Sequence, residues 1–290
     1  MLKLARFLTT CTITVGLAAF SMAFAQTYTT IDYPGATATT LNGGPNPQGT
    51  SVGTYTDTSG VVHGLSLTRS QTFTSFDPPG STATTPNFID PQGTIVGGYI
   101  DAAGVSHGFV LSNGQYRNVD FPGAAGTVLT SISPSGELTG FSCADAACAN
   151  GPFQSFTVSR GGAFNGFNPP GSSNSQASAT TPSGEVVGAY VDSAGTVHGY
   201  VLYHGTFVTF DYPGSTFTFG GGINPQGQIV GEWRDSNSVP HSFLLSHGVF
   251  TSFDPPGATA SDASGINTGG IIVGLYADAA GVLHGFIRTP

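Results

Sequence analysis

Short apolar–polar alternations recur along the chain, each cut off by Gly, Pro, Asn or Asp, and none grows into a helical period. Such runs predict half-buried strands joined by tight turns. The stretch from Ser175 shows one unit in full: Ser175 to Thr181, the turn Pro182-Ser183-Gly184, then Glu185-Val186-Val187-Gly188-Ala189-Tyr190. Pro presets the backbone at the second turn position and Gly supplies the positive φ that follows. Asp192-Ser193-Ala194-Gly195 makes the next turn and His198 to Tyr203 the third strand, after which His204-Gly205 turns a hairpin into a fourth strand ending at Phe210. Four strands on three hairpins form one antiparallel sheet.

That unit repeats. Ile31-Asp32-Tyr33-Pro34-Gly35 returns as Phe76-Asp77-Pro78-Pro79-Gly80, and the same phrase recurs around Asp120, Asn168, Asp211 and Asp254, in steps of 45, 43, 48, 43 and 43 residues. A period in the forties is the size of one propeller blade. The turn Asn46-Pro47-Gln48-Gly49 recurs at Asp90, Ser133, Thr181, Asn224 and Asn267, and only the last copy lacks the Pro. The expected fold is all-β: a six-bladed β-propeller of four-stranded antiparallel blades, with repeats at about 36–79, 80–122, 123–170, 171–213, 214–256 and 257–290 plus 27–35. The last repeat has three strands, and its fourth is expected from Tyr28-Thr29-Thr30-Ile31, which would close the ring and remove its exposed edges. A linear solenoid would instead call for distinct capping units at both ends.

The first 25 residues depart from this pattern. Lys3 and Arg6 precede an apolar run from Phe7 to Phe24 ending in Ala23-Phe24-Ala25, the pattern of a cleaved secretory signal, so residues 26–290 are expected to be one exported propeller, secreted or periplasmic. Without Lys3 and Arg6 the chain keeps five Arg and no Lys against 16 acidic groups, a net charge of −11. Nucleic acid and anionic membranes are excluded as partners by that charge. No later stretch predicts membrane insertion, and a monomer is expected. Cys143 and Cys148 are the cysteines left after the signal. In an oxidising compartment they read as a local disulfide; zinc would need two further ligands, and none lies nearby.

Counting across the hairpins sets His198 opposite Asp211, His107 opposite Asp120 and His241 opposite Asp254. His63 faces Asp77 across a turn one residue longer, and His284 is expected to meet Asp32 through the closing strand. The third unit departs at both positions together, with Gln154 for His and Asn168 for Asp. Joint replacement by an amide pair points to cross-strand hydrogen bonding rather than chemistry. A catalytic dyad needs a unique third group and a cleft, not five equivalent copies, so no catalytic residue is assigned. Ser106 in Gly104-Val105-Ser106-His107-Gly108 matches a nucleophile elbow on paper, but the serine occurs once, in a hairpin.

The connectivity sorts the turns. The Asn-Pro-x-Gly and His-Gly turns share one face, while the Asp-x-x-Gly turns and the Asp-x-Pro-Gly connections share the other, which holds 11 of the 16 acids. Beside that acidic face lies one aromatic per unit: Tyr55, Tyr99, Tyr190, Trp233 and Tyr276, with Phe141-Ser142 at the odd position in the third unit. Rings at strand ends beside carboxylates are candidate sugar platforms, against the plainer reading that they pack between blades. Trp233-Arg234-Asp235, with Glu232 before it, is the one cluster unlike its counterparts, and the place to look for a specialised pocket. No cofactor or metal is assigned; calcium is the one ion the Asp turns leave open, although they lack the dense alternation of acids in calcium loops.

Ile223-Asn224, Gly227-Gln228-Ile229-Val230-Gly231 and the triplets His107-Gly108-Phe109 and His284-Gly285-Phe286 resemble the bacterial extracellular repeats named for His-Ala-Phe (HAF), with Gly in place of Ala. The resemblance covers nearly all of the chain after residue 25. It implies export and β-repeat structure and no catalytic residue. The expectation is thus a non-enzymatic scaffold binding a carbohydrate or an envelope or extracellular protein through its acidic face. A multivalent glycan-binding propeller is the first alternative, and a polysaccharide lyase or glycosidase the second.

Overall fold

The computed structural model describes residues 26–290, all strands and turns; the expected signal lies outside the described residues. No described helix is long and apolar enough to cross a membrane. After β1 (Thr27–Ile31) the first blade runs β2 (Ala38–Gly43), β3 (Ser51–Thr56), β4 (Val62–Leu67) and β5 (Phe73–Phe76). The second holds β6 (Ser81–Ile89), β7 (Ile95–Asp101), β8 (Ser106–Ser112) and β9 (Gln115–Asn118). The third holds β10 (Gly126–Ile132), β11 (Leu138–Cys143), β12 (Phe153–Val158) and β13 (Phe164–Phe167). The fourth holds β14 (Asn174–Thr180), β15 (Val186–Val191), β16 (Val197–Tyr203) and β17 (Thr206–Phe210). The fifth holds β18 (Thr218–Ile223), β19 (Ile229–Arg234), β20 (Pro240–Ser246) and β21 (Val249–Phe253), and the last β22 (Ala260–Ile266), β23 (Ile272–Ala277) and β24 (Leu283–Thr289).

These make six four-stranded antiparallel sheets in sequence order, and β1 completes the last as its outer strand. The first strand of each blade meets the first strands of its two neighbours, β2 meeting β22, so the ring is closed around an axis. The structure is a six-bladed β-propeller. Closure sets Tyr28 opposite Arg288 and Ile31 opposite Gly285. Arg288 is buried where other blades carry apolar residues; its guanidinium lies 4.4 Å from the Phe253 ring centre and its Nε donates to Gln26 Oε1 at 3.1 Å.

Two triplets of the repeat explain the packing. In His-Gly-Phe the third position points into the sheet interface, where Leu65, Phe109, Phe156, Tyr200, Phe243 and Phe286 are all fully buried. In Ile-Val-Gly the Val is equally buried, and the Gly permits a close approach. A Cβ on Gly231 or its five counterparts would collide with a carbonyl oxygen of the axial strand, that of Phe219 for Gly231. The cause is a β-bulge repeated in all six axial strands, at Asn42, Asn87, Thr130, Ser178, Gly221 and Ser264. A bulge leaves its residue out of the ladder and bends the strand. Here it turns one residue per blade toward the axis.

Candidate functional site

The acidic face is built from five copies of one node. His63 Nδ1 lies 2.7 Å from Asp77, His107 3.0 Å from Asp120, His198 2.8 Å from Asp211, His241 2.9 Å from Asp254 and His284 2.7 Å from Asp32. Each Nε2 faces a second carboxylate that sequence reasoning did not pair with it: Asp57 at 3.5 Å, Asp101 at 3.4 Å, Asp192 at 3.3 Å, Asp235 at 3.9 Å and Asp278 at 3.5 Å. The other oxygen of each turn Asp closes its own turn; Asp192 Oδ1 accepts the amides of Ala194 and Thr196, both at 2.9 Å. These backbone amides hold the turn carboxylates below their usual range. In His63 the Asp77 bond raises the imidazole's affinity for a proton, while in His107, His198 and His284 burial opposes protonation but is outweighed by the flanking carboxylates. The face is acidic in composition, yet its acids are engaged locally.

The third unit keeps the register but not the bond. Ser155 pairs Phe167, which sets Gln154 opposite Asn168, but Asn168 Oδ1 accepts the Ser175 hydroxyl at 2.7 Å, and no bond joins the two amides among the described residues. The expected amide pair is thus corrected: Asn168 keeps only the bond to the axial strand, which Asp254 also makes by accepting the Ser261 hydroxyl at 2.6 Å while bonded to His241. Cys143 and Cys148 form a disulfide in the same blade, with Cα atoms 5.2 Å apart. Ser142 occupies the aromatic position there and Phe141 faces the axis.

The aromatics lie within their blades and each stacks on the node histidine, with centres 5.0 Å apart for Tyr55–His63, 5.2 Å for Tyr99–His107, 5.1 Å for Tyr190–His198, 4.9 Å for Trp233–His241 and 5.1 Å for Tyr276–His284. Their polar ends reach the outer strand: Trp233 Nε1 donates to Ser252 at 2.9 Å, and the Tyr55, Tyr190 and Tyr276 hydroxyls meet Ser75, Thr209 and Thr30. Asn118 donates to the Tyr99 hydroxyl at 2.9 Å. Tyr33 also stacks on Tyr55 at 3.8 Å, and Tyr212 on Trp233 at 3.9 Å. Sandwiched rings offer no open face to a sugar, so Tyr55 and Trp233 are corrected from sugar platforms to packing groups. Arg234 lies 3.9 Å over Phe217 and its Nε donates to Glu232 Oε1 at 2.7 Å.

The open space is on the axis. A cavity of about 470 Å³ opens among the Asn-Pro-x-Gly turns, the face opposite the acidic one, and all six axial strands line it together with Pro47, Pro91, Pro134, Pro182 and Pro225. The bulge residues order its wall: Asn42 donates to Pro86 O at 3.0 Å, Asn87 to Leu129 O at 2.8 Å and Thr130 to Ala177 O at 2.8 Å, each to the next blade. In the other three blades the bulge residues are Ser178, Gly221 and Ser264, small enough to leave the wall open. Gln176, Phe219 and Asp262 line both this cavity and a second one of about 350 Å³ toward the acidic face, which Tyr190 and Glu232 also line. Asp262 Oδ1 is out of reach of solvent and has no hydrogen-bond partner among the described residues. Burial, reinforced by the negative charge of Glu232 and only partly offset by Arg234, pushes its carboxyl up to about 7. No three His, Cys, Asp or Glu side chains converge as metal ligands among the described residues.

No protein-family model matches the chain, and no curated protein does. Solved structures do. A mutant Aleuria aurantia lectin in complex with alpha-methyl-L-fucoside aligns over 89% of this chain and 93% of its own, at 10% identity and TM-score 0.51. TolB from Acinetobacter baumannii aligns over 87% and 63%, at 14% identity and TM-score 0.56. A gluconolactonase from Xanthomonas campestris aligns over 88% of each, at 13% identity and TM-score 0.55. The likeness is one of fold. Propellers host unrelated activities, so this chain's function has to be argued from its own side chains.

Proposed function

We propose that the protein is a non-enzymatic binding propeller, acting at or outside the cell envelope, whose ligand enters the axial cavity from the Asn-Pro-x-Gly face. The observation that carries this reading is the conjunction of an apolar cavity lined by all six blades with one unpartnered carboxyl, Asp262, in its wall. A concave apolar site with a few placed polar groups is the usual form of a small-molecule pocket. The repeated nodes, by contrast, are already saturated by protein partners. The test is a thermal-shift screen of the purified protein against saccharides, including fucosides, and small organic molecules, followed by calorimetry on Ser178→Phe, which fills the open half of the wall. Affinity should fall by about tenfold or more in that variant. A ligand bound equally well by Ser178→Phe would move the site off the axis, and hydrolysis of gluconolactone by the wild type would overturn the non-enzymatic reading.

A further inference from the structure

Resting on the axial reading, we infer that the ligand is an organic amine, held by its ammonium group against Asp262. The three larger bulge side chains spend their donors on the protein. The Asn42 and Asn87 amide groups and the Thr130 hydroxyl donate to backbone carbonyls of the next blade, and the Asn42 oxygen accepts the Thr40 hydroxyl at 2.9 Å, which leaves the Asn87 oxygen as an acceptor facing the cavity. Among the described residues no Lys, Arg or His lines the larger cavity, and Asp262 is its one titratable group. The nearest cation, Arg234, is held by Glu232 at 2.7 Å, which leaves Asp262 without a counter-charge. A buried unpaired carboxylate is costly, and a ligand that brings a positive hydrogen-bond donor removes the penalty. Phe219 and the turn prolines suit an apolar body behind the ammonium, and the ring of an aromatic wall attracts a cation. Repetition gives independent support for a role. The positions equivalent to Asp262, opposite the residue before each aromatic, are Thr40, Thr85, Val128, Gln176 and Phe219, so nothing in the repeat requires an acid there.

Matched pairs of probes test it: benzylamine against benzyl alcohol, and glucosamine against glucose, by calorimetry on the full protein, on Asp262→Asn and on Ser178→Phe. At about pH 8 benzylamine should bind about tenfold tighter than benzyl alcohol, glucosamine, whose amine is only partly protonated there, should show a smaller advantage over glucose, and Asp262→Asn should erase both. At about pH 5.5 the advantage should shrink in the wild type, because the Asp262 carboxyl takes up a proton while the amine keeps its own. The groups facing Asp262 from β19 are Glu232 and Arg234; β2, β14, β18 and β23 turn no titratable side chain toward it among the described residues. The wild-type pH profile serves if Asp262→Asn fails to fold. Amines and neutral partners binding alike, with both lost in Ser178→Phe, would overturn the amine and keep the axial site. Saturable calcium binding at Asp262 with no amine binding would also overturn it, and binding of any probe that Ser178→Phe leaves intact would overturn both readings.

Discussion

The acidic rim and the axial cavity contain the same functional group and put it to opposite uses. On the rim ten aspartates are arranged around five histidines, five of them bonded to an imidazole and the five in the turns bonded to their own backbone amides with an imidazole within 3.9 Å. On the axis Asp262 has a free oxygen and, among the described residues, no neighbour to bond it. Charges that recur with the repeat are part of what holds each hairpin; the charge that breaks the repeat is the one left free to meet a ligand. High acidity on a surface is therefore a poor guide to a site, and an unbonded acid in a cavity is a better one.

Four changes sharpen or break this contrast. The largest effect is expected at the wall between the two regions: Gly231→Ala drives a Cβ into the Phe219 carbonyl and should cost about 3 kcal/mol or more in urea unfolding. If it is tolerated, the bulged axial strand is more yielding than its geometry implies. Next, Asp262→Leu should stabilise the unliganded protein by about 2–3 kcal/mol near pH 8, since it removes an uncompensated carboxyl from a low-dielectric site. That gain should shrink toward pH 5, where the folded protein already holds Asp262 protonated.

The third is a pH profile. His63, His107, His198 and His284 bind protons more tightly when folded, so their contribution is full below about pH 6.5 and is lost as pH rises through the folded values. The turn aspartates are held low, so theirs is full above about pH 4 and is lost as pH falls through the folded values. Asp262 adds a penalty that grows from about pH 4 to 7. Melting temperature should consequently be higher near pH 5.5 than near pH 8; a flat profile would mean that the nodes do not couple to folding. The smallest effect is on the rim itself. Replacing His198 by Gln together with Asp211 by Asn copies what the third blade already carries and should shift stability by no more than about 1 kcal/mol, because partly exposed ion pairs are weak. A much larger loss would make that node more than one of several equivalent fasteners.

The fold was legible because a propeller writes its period into the chain. The Asp-x-Pro-Gly phrase marks each blade, the short sixth unit at the C-terminus points to β1, and counting across the hairpin turns and the closing strand places each of the five His opposite its Asp. What stayed hidden was whatever one strand's pattern does not encode. The second carboxylate on each His comes from the turn before it in the same blade, within six residues of the His in sequence, yet turn geometry had to be seen to place it. The coverage of Trp233 by Tyr212 arises between blades. Asp262 escaped notice because it sits at a position the repeat leaves variable, flanked by Ser and Ala in an ordinary alternation. The unusual Glu232 beside Trp233 was the visible hint: it turns toward the axis, and its charge acts on Asp262.

The most direct measurement is a carbon-detected NMR titration of the aspartate carboxyls, with Asp262→Asn to assign the resonance. One carboxyl titrating near 7 and absent from the variant, while those of the turns titrate below the usual carboxylate range, is the result this account requires. An Asp262 that titrates with the ordinary carboxylates would mean that it is solvated or paired, and the distinction between a saturated rim and an unsatisfied axis would fall.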